Sequence, residues 1–335
     1  MSDRLGAWLD AGSGSDQEFV ERAWRLVVRR SPEPAGRDAA LEKLRNGTLS
    51  RAGLLRQLAS SDEFERVVLL DDALAFAAAQ RARPRDVRGP ARPRELRAPA
   101  SSDERAIEIP WCLARYSGER RVLDVGYAFA EPAYLAGLVA LGARELVGVD
   151  LADLDVPGLR RVVADVRNLP FGEGSFDLIF CISTLEHVGR DNEVYDVAAA
   201  RNERGDEQAL SELRRVLARD GRLLVSVPTG ELDDQGWQVQ RPPEEWVAVF
   251  ERAGFVVFED ELYVREVEQW RSATPAYARV ARYGAGGPGA AAVLLAELRP
   301  RRLAERLRIA VRDARHRDAP RRSTLTSGGP EHDSD

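Results

Sequence analysis

The spacing of hydrophobic residues changes once along the chain and divides it into two parts. In residues 1–80, large apolar residues recur every three or four positions, as in the run 19–27, and this spacing is typical of amphipathic helices. Pro32 breaks the first helical pattern, Gly47 ends a second, and Ser50 is suited to cap a third. The pattern predicts a small all-α bundle of three or four helices.

Beyond residue 106, short apolar runs alternate with helical patterns. Helices are predicted at 131–141, 207–218 and 242–253, and buried strands at 121–125, 145–150, 161–165, 176–182, 222–227, 255–260 and 289–299. Strands that alternate with helices form a mostly parallel sheet with helices on both faces. We therefore predict an α/β domain over 106–299 with a Rossmann-like, doubly wound sheet of seven strands.

Two arginine-rich segments flank this predicted domain. Residues 81–105 contain many prolines and arginines and few large apolar residues, so they cannot bury enough surface to order themselves and are predicted to be a linker. In residues 300–335, Leu303, Leu307 and Ile309 lie among arginines, which predicts a basic amphipathic helix followed by a disordered tail.

Composition excludes several classes of protein. The 335 residues contain 49 basic and 55 acidic side chains, and a net charge of −6 argues against a nucleic-acid reader. Cys112 and Cys181 are too few for a disulfide framework, and three histidines exclude a histidine-rich metal centre, so no metal site is predicted. No apolar run is long enough to span a membrane, and no secretory signal is recognisable. We expect a cytoplasmic protein.

Acidic residues lie where the predicted strands end. Asp124 and Gly126 end the first strand, Asp150 ends the second, and Asp165 ends the third. The carboxyl ends of parallel strands form the usual ligand crevice of such a sheet. Asp150 is suited to accept hydrogen bonds from both hydroxyls of a ribose. Asp165 is suited to accept one from an exocyclic amine, with the Val166 amide beside it. The pattern indicates an adenosine-containing ligand.

The motifs around these acids resemble a known family. The segments RVLDVG, ELVGVDL, VVADVRNLPFGEGSFDLIFCISTLEHVG and ALSELRRVLARDGRLLVSVPTG are similar, in this order, to those of class I S-adenosylmethionine-dependent methyltransferases, especially ones acting on small molecules and glycans. The resemblance implies S-adenosylmethionine as cofactor. It also implies a set of contacts: the methionine part at Asp124, Gly126 and Tyr127, the ribose at Asp150 and Leu151, the adenine at Asp165 and Val166, and the methionine amine at the backbone around Cys181 and Ile182.

One loop departs from the family pattern. After Gly126 the family usually has further glycines, whereas this chain has Tyr127 and Phe129. The two rings either stack on or wall the cofactor, or they fill the crevice of a fold that has lost its ligand. A dinucleotide site is disfavoured because no Gly-x-Gly-x-x-Gly follows the strand. The second possibility makes the chain a catalytically silent interaction module in a surface-glycan or secondary-metabolite pathway.

The candidate catalytic residue is His187, the one histidine within 106–299. It lies just after the fourth predicted strand, and a histidine there can act as general base for an oxygen nucleophile. Asp191 and Tyr195 are alternative substrate contacts, and the inserts 190–210 and 264–287 are candidates to cover the site. We predict methyl transfer to a small molecule or glycan, at oxygen. Other chemistry with the same cofactor is a third, weaker possibility.

A second resemblance concerns the helical part. Its motifs are Arg30-x-Pro32-x-Pro34, Gly47-x-Leu49-Ser50-Arg51 and Ser61-x-Glu63-Phe64. They are similar to those of a short helical family of uncharacterised function that accompanies bacterial glycosyltransferases, methyltransferases and surface proteins. The resemblance implies an adaptor that contacts a protein partner. A purely structural bundle is the simpler interpretation.

Overall fold

The computed structural model describes residues 14–83, 96–97, 102–197, 200–267 and 269–301. The described residues up to Pro300 form one compact unit. The basic helix and tail predicted after residue 301 lie outside the described residues, as does most of the predicted linker. Within the described residues, no helix is both long and apolar enough to cross a membrane.

In the part of the chain that the structure describes, four helices precede the sheet: α1 Asp16–Val27, α2 Pro34–Arg45, α3 Arg51–Ala59 and α4 Asp62–Arg81. Ser50 caps α3 as the sequence predicts, since its hydroxyl accepts a hydrogen bond from the Gly53 amide at 3.0 Å. The apolar stripe of α1 packs against α2 and α3 around the buried side chains of Phe19, Val20, Leu54 and Leu58. The helical spacing of these residues therefore produces a small core of its own.

The last of these helices, α4, also belongs to the core of the sheet. Its Leu70 and Ala77 are buried in one cluster with the helices α5 Arg105–Ala114 and α6 Pro132–Val139. Packing is close: a β-carbon on Gly137 of α6 would lie 2.6 Å from Leu113 Cδ1 of α5. The helical part and the sheet are thus joined by shared buried surface.

One mixed sheet of nine strands forms the centre of the molecule, two more than predicted. Its strands are β1 Leu96–Arg97, β2 Arg121–Val125, β3 Glu145–Asp150, β4 Arg160–Val163, β5 Phe176–Ile182, β6 Leu217–Pro228, β9 Phe255–Glu266, β10 Gln269–Ser272 and β11 Ala292–Pro300. The order β4-β3-β2-β5-β6 is parallel throughout. Strand β11 lies antiparallel between β6 and β9. This arrangement confirms the predicted Rossmann-like fold.

The additional strands lie at one edge of the sheet. β10 pairs with β9 as an antiparallel hairpin, and the short β1 pairs with β10. β9 therefore continues to Glu266, six residues beyond its predicted end. A separate two-stranded ribbon joins β7 Asp233–Asp234 to β8 Val239–Gln240. The segment predicted to be a linker, residues 81–105, contributes the two-residue strand β1 to the sheet.

Helices cover both faces of the sheet. Along β2, Leu123 faces a cluster that includes α7 Gly205–Val216 and α8 Pro243–Arg252, whereas its neighbour Val122 faces α5 and α6. Adjacent residues of a strand point to opposite faces, so a strand buried on both faces is apolar throughout. A four-residue helix, α9 Pro275–Ala278, follows β10. A cavity lies at the carboxyl ends of the parallel strands.

Candidate functional site

A cavity of about 250 Å³ lies at the carboxyl ends of the parallel strands. Most of the residues that sequence analysis assigned to the site line it: Asp124, Gly126, Asp150, Leu151, Asp165, Val166, Ile182 and His187. It is also lined by residues that the sequence did not single out, among them Arg105, Tyr134, Arg167, Ser183 and Thr184. Parallel strands bring these residues to one edge although they are distant in the chain.

The turn after β2 requires glycine at Gly126. Its φ of +84° is left-handed, and its amide donates a hydrogen bond to the Val149 carbonyl at 2.9 Å. A β-carbon there would lie 2.3 Å from Thr184 Oγ1, which itself donates to the Val125 carbonyl at 3.0 Å. At Gly126 the cavity is therefore lined by backbone atoms and not by a side chain.

Asp124 is almost fully buried under this turn, at 1% exposure. The hydroxyl of Tyr134 donates to Asp124 Oδ2 at 2.5 Å. Burial raises the pKa of Asp124 to about 8, although the hydrogen bond from Tyr134 opposes the shift and nearby Asp150 adds to it. Asp124 therefore carries a proton near neutral pH.

Asp150 ends β3 with its carboxylate held by backbone amides. One oxygen accepts from Ala128 and the other from Ala152, both at 3.0 Å. The first of these bonds ties the end of β3 to the turn after β2, where the Tyr127–Phe129 segment lies. Each carboxylate oxygen accepts more than one hydrogen bond. Asp150 can therefore accept hydrogen bonds from the two hydroxyls of a diol in addition to those from the backbone amides.

Asp165 lies two residues beyond the end of β4 and forms an ion pair with Arg167. The guanidinium donates to both carboxylate oxygens at 2.6–3.1 Å, and the Arg167 amide donates at 2.9 Å. Burial raises the pKa of Asp165, but these bonds outweigh it and the net pKa is lowered. Asp165 is therefore an ionised acceptor at the cavity wall.

Tyr127 and Cys181, two of the residues assigned to the site from sequence, are not among the residues that line the cavity. Tyr127 is fully buried beneath β3: a β-carbon on Gly148 would lie 2.7 Å from its ring, and its hydroxyl donates to the Leu154 carbonyl at 2.8 Å. Its ring therefore neither walls the cofactor nor fills the crevice. Cys181 faces the core because strand neighbours alternate, which leaves Ile182 at the cavity. Phe129 lines the cavity and is 52% exposed.

His187 lies in a turn directly after β5. Its Nδ1 is 3.0 Å from the Trp237 carbonyl oxygen, so Nδ1 carries the proton and Nε2 has a lone pair. The ring stacks on Trp237 and meets the edge of Tyr195, with centroid distances of 5.2 and 5.4 Å. Burial lowers the pKa of His187 to about 4, so the imidazole is neutral. Asp191 does not line the cavity, whereas Tyr195 does.

Arg105 extends this wall, although sequence analysis assigned it to the linker. It begins α5, and its Nη1 donates to Glu108 and Ser183 at 3.0 and 2.8 Å. Ser183 has a φ of +43°, an unfavourable value for serine that is typical of functional sites. Among the described residues, no group of three or more His, Cys, Asp or Glu is arranged to hold a metal ion.

The sequence of the strands and turns that build this cavity matches a known family model. Residues 123–225 match the family described as methyltransferase domain. This segment, about a third of the chain, is therefore similar to a methyltransferase domain. Sequence analysis assigned the turn at Gly126, Asp150 and the Asp165–Val166 pair to the methionine, ribose and adenine parts of S-adenosylmethionine, and all of them line the cavity.

Further comparisons concern other parts or the whole chain. Residues 7–68 match a domain of unknown function (DUF4214), the region where the helical motifs lie. An uncharacterized protein of Methanocaldococcus jannaschii is 35% identical over 68 residues, which make up 20% of this chain and 23% of that protein. The match thus spans less than a quarter of the length of this curated relative.

Solved methyltransferase structures are similar in outline. A putative methyltransferase from Bacillus halodurans is 15% identical, with 57% of this chain and 96% of that chain covered at a TM-score of 0.39. The 1,6-didemethyltoxoflavin-N1-methyltransferase of Burkholderia thailandensis, solved with S-adenosylhomocysteine, is 16% identical, with 82% and 93% covered at a TM-score of 0.38.

Proposed function

We propose that this protein transfers a methyl group from S-adenosylmethionine to an oxygen of a small-molecule or glycan acceptor in the cytoplasm. The observation that carries the choice of oxygen is His187, whose unprotonated Nε2 lies in a ring that lines the cofactor cavity. A hydroxyl needs a base as it attacks, and a neutral imidazole supplies one. The two described cysteines are unbridged and buried, in keeping with a reducing compartment.

In this proposal, each part of the cavity has a separate task. Asp150 accepts the ribose hydroxyls, and Asp165 with the Val166 amide holds the adenine edge. S-adenosylmethionine supplies an electrophilic methyl group when bound. Its methyl group would pass to the acceptor oxygen, and the electron pair of the S–C bond would stay on sulfur. His187 Nε2 takes the hydroxyl proton, and the walls position the acceptor and exclude water.

The alternative, a catalytically silent interaction module, has less support. Its main motivation is an aromatic loop that closes the crevice. With Tyr127 in the core and Phe129 at the cavity wall, that motivation does not hold. The adaptor role of the helical part remains a separate proposal, to be tested by its binding to a protein partner.

Removing the Asp150 carboxylate tests the cofactor site. We expect Asp150→Ala to weaken binding of S-adenosylhomocysteine, measured by calorimetry, at least about tenfold, because charged hydrogen bonds to a ligand contribute about 1.5–3 kcal/mol each. The matched control is Asp153→Ala, three residues further on, whose side chain is 59% exposed and pairs with Arg161. Equal affinity in both variants would contradict the proposal.

His187 gives a second prediction, on the pH dependence of the reaction. Burial holds the pKa of His187 at about 4. For an acceptor that is methylated at a hydroxyl group, the kcat/KM of the wild-type protein should therefore not fall as the pH is lowered through 6.5. We expect His187→Gln to lower kcat by roughly 10²-fold or more. A fall in kcat/KM as the pH is lowered through 6.5, or full activity in His187→Gln, would exclude His187 as the base.

A further inference from the structure

One arginine of the helical part contacts the beginnings of two helices that line the cavity. Helix α5 contributes Arg105 to the cavity wall, and α6 contributes Tyr134, with Glu131 directly before it. The same nitrogen of Arg66 in α4, Nη2, forms ion pairs with Asp103, two residues before α5, and with Glu131. The effect of Arg66 on the cavity therefore depends on what each of these two acids holds in turn.

Asp103 fixes the beginning of α5. Its Oδ2 accepts a hydrogen bond from Arg66 at 2.9 Å, and its Oδ1 accepts one from the Arg105 amide at 3.1 Å. A bond from an aspartate side chain to the amide two residues later forms an Asx turn, which sets the direction of the chain. Arg105 lines the cavity and donates to the Ser183 hydroxyl, directly after β5, at 2.8 Å. Arg66 thus supports, through Asp103, the contact between α5 and the cavity.

Glu131 has the same position with respect to α6. It follows the turn that begins at Gly126, precedes the first residue of α6, and lines the cavity. Three residues later, the hydroxyl of Tyr134 donates to Asp124 Oδ2 at 2.5 Å. Anchoring Glu131 therefore fixes both the end of the turn and the beginning of the helix that holds Asp124.

Helix α4, which carries Arg66, packs against both of these helices. Its Leu70 is buried in one cluster with α5 and α6. A β-carbon on Gly137 of α6 would lie 2.9 Å from Leu74 Cδ2 of α4. At the far end of α4, Arg81 Nη1 donates to the Leu113 carbonyl of α5 at 3.3 Å. Because α4 is held along its length, its side chains can position groups of the site.

We propose that Arg66 is a positioning residue of the S-adenosylmethionine site, and that the helical part is needed for full cofactor affinity. The geometry that points to this role is one guanidinium that holds Asp103 and Glu131, each at the beginning of a helix that lines the cavity. Arg66 is not among the residues that line the cavity, so it acts through these two acids. This inference rests on the proposed function, because it takes the cavity as the cofactor site.

The inference also gives the helical part a task within this molecule. Arg66 lies within residues 7–68, the part of the chain that matches the domain of unknown function. Its side chain is 31% exposed, and partly exposed ion pairs contribute little to stability. Misplacement of binding groups by about 1 Å, in contrast, can cost up to about 10²-fold in rate. Removing Arg66 should therefore affect cofactor binding much more than stability.

Calorimetric titration of Arg66→Gln with S-adenosylhomocysteine tests the proposal. We expect the affinity to fall at least about tenfold relative to wild type, because α5 and α6 lose their common anchor. The matched control is Arg29→Gln, which removes a similarly exposed arginine that pairs with Asp71 of the same helix, α4, at 2.7 Å. This control should bind as wild type does. Wild-type affinity in Arg66→Gln, or the same loss in both variants, would overturn the proposal.

A second ligand separates positioning from a direct effect of charge. S-adenosylmethionine carries a sulfonium charge that S-adenosylhomocysteine lacks, so loss of a nearby guanidinium charge alone would favour S-adenosylmethionine. Loss of position should weaken both ligands alike, and we expect the ratio of their affinities in Arg66→Gln to equal that of wild type. A ratio shifted toward S-adenosylmethionine, with unchanged affinity for S-adenosylhomocysteine, would contradict a positioning role.

Variants of the two acids test the route by which Arg66 acts. In the Arg66→Gln background, Asp103→Asn and Glu131→Gln should weaken S-adenosylhomocysteine binding less than each does in wild type, because part of their effect is already lost. Strictly additive losses would show that Arg66 acts by another route. Thermal unfolding establishes that each variant is folded. If Arg66→Gln does not fold, the two acid variants alone should weaken binding, and wild-type affinity in both would overturn the proposal.

The failure of this inference and that of the proposed function are distinguishable. If the wild-type protein does not bind S-adenosylhomocysteine, the proposed function fails and the inference fails with it. If wild type binds it and Asp150→Ala weakens binding, but Arg66→Gln binds as wild type does, only the role of Arg66 is overturned.

Discussion

At the scale of single residues, the site depends on which side chains have room to face the cavity. Gly126 is the clearest case, because the chain there must combine a left-handed turn with close contact to Thr184. Two separate costs arise if glycine is replaced. One is the backbone strain of any side chain at positive φ, and the other is the steric overlap with Thr184.

These two costs can be measured with a pair of substitutions. Gly142 also has a positive φ, +66°, but a β-carbon there would meet nothing within 4 Å. We expect Gly142→Ala to lower the free energy of unfolding by about 1 kcal/mol through strain alone. Gly126→Ala should lower it by at least ~1 kcal/mol more, and should weaken S-adenosylhomocysteine binding as well. Denaturant titration checks the first effect and calorimetry the second; equal losses in both variants would refute the role given to Thr184.

At the scale of elements, α4 connects the helical part to the methyltransferase domain. It begins next to the small N-terminal core, yet Leu70 and Ala77 are buried with α5 and α6 under the sheet. Ion pairs reinforce the junction: Arg66 of α4 pairs with Asp103 at 2.9 Å and with Glu131. The predicted boundary at residue 80 therefore falls at the end of a helix that the domain needs for its core.

A pair of substitutions in α4 tests this connection. Leu70 is 5% exposed and Val68, on the same helix, is 41% exposed. We expect Leu70→Ala to lower the free energy of unfolding by about 2–4 kcal/mol, because it leaves a cavity between α4 and the helices α5 and α6. Val68→Ala should change it by less than about 0.5 kcal/mol. Fluorescence of the buried Trp111 in α5 should report the loss. If the fluorescence of Trp111 changes at the same denaturant concentration in Leu70→Ala and in the wild type, α4 is not part of this core.

At the scale of the whole molecule, buried acids make stability depend on pH. In the folded protein, the pKa of Asp124 is about 8 and that of Glu104 about 7, both raised chiefly by burial, and the pKa of Glu186 is raised as well. In the unfolded chain these groups ionise near pH 4. The folded state therefore binds more protons above that pH, and stability is lost as the pH rises toward the folded pKa values.

We expect the free energy of unfolding to fall by about 2–4 kcal/mol between pH 6.5 and 8. His187 contributes little in this window, because its pKa is lowered to about 4 by burial and it is neutral in the unfolded chain above pH 6.5. Asp124→Asn should make the dependence shallower. Denaturant titration at several pH values checks this, and a flat or rising profile in wild type would contradict the protonation of these acids.

The sequence by itself determined the parts of the fold that depend on local periodicity and chain order. Strands β2, β3 and β5 have the predicted bounds because each is a short apolar run between turn residues. Chain order and strand direction then bring Asp124, Asp150 and Asp165 to one edge of the sheet. A correct prediction of the topology therefore also predicts that all three acids line the same cavity.

Only the tertiary structure decided which side chains face the cavity and which groups form hydrogen bonds or ion pairs with the buried charged residues. Helix α5 shows no amphipathic pattern, since residues 106–114 are all buried and Pro110 lies within it, so its Arg105 was assigned to a linker. Tyr127 faces the core because Gly148 leaves room for its ring, and Arg105 bonds to Glu104, Glu108 and Ser183 and not to Glu186 Oε2. These outcomes depend on contacts between residues far apart in the chain, which periodicity and local motifs do not encode.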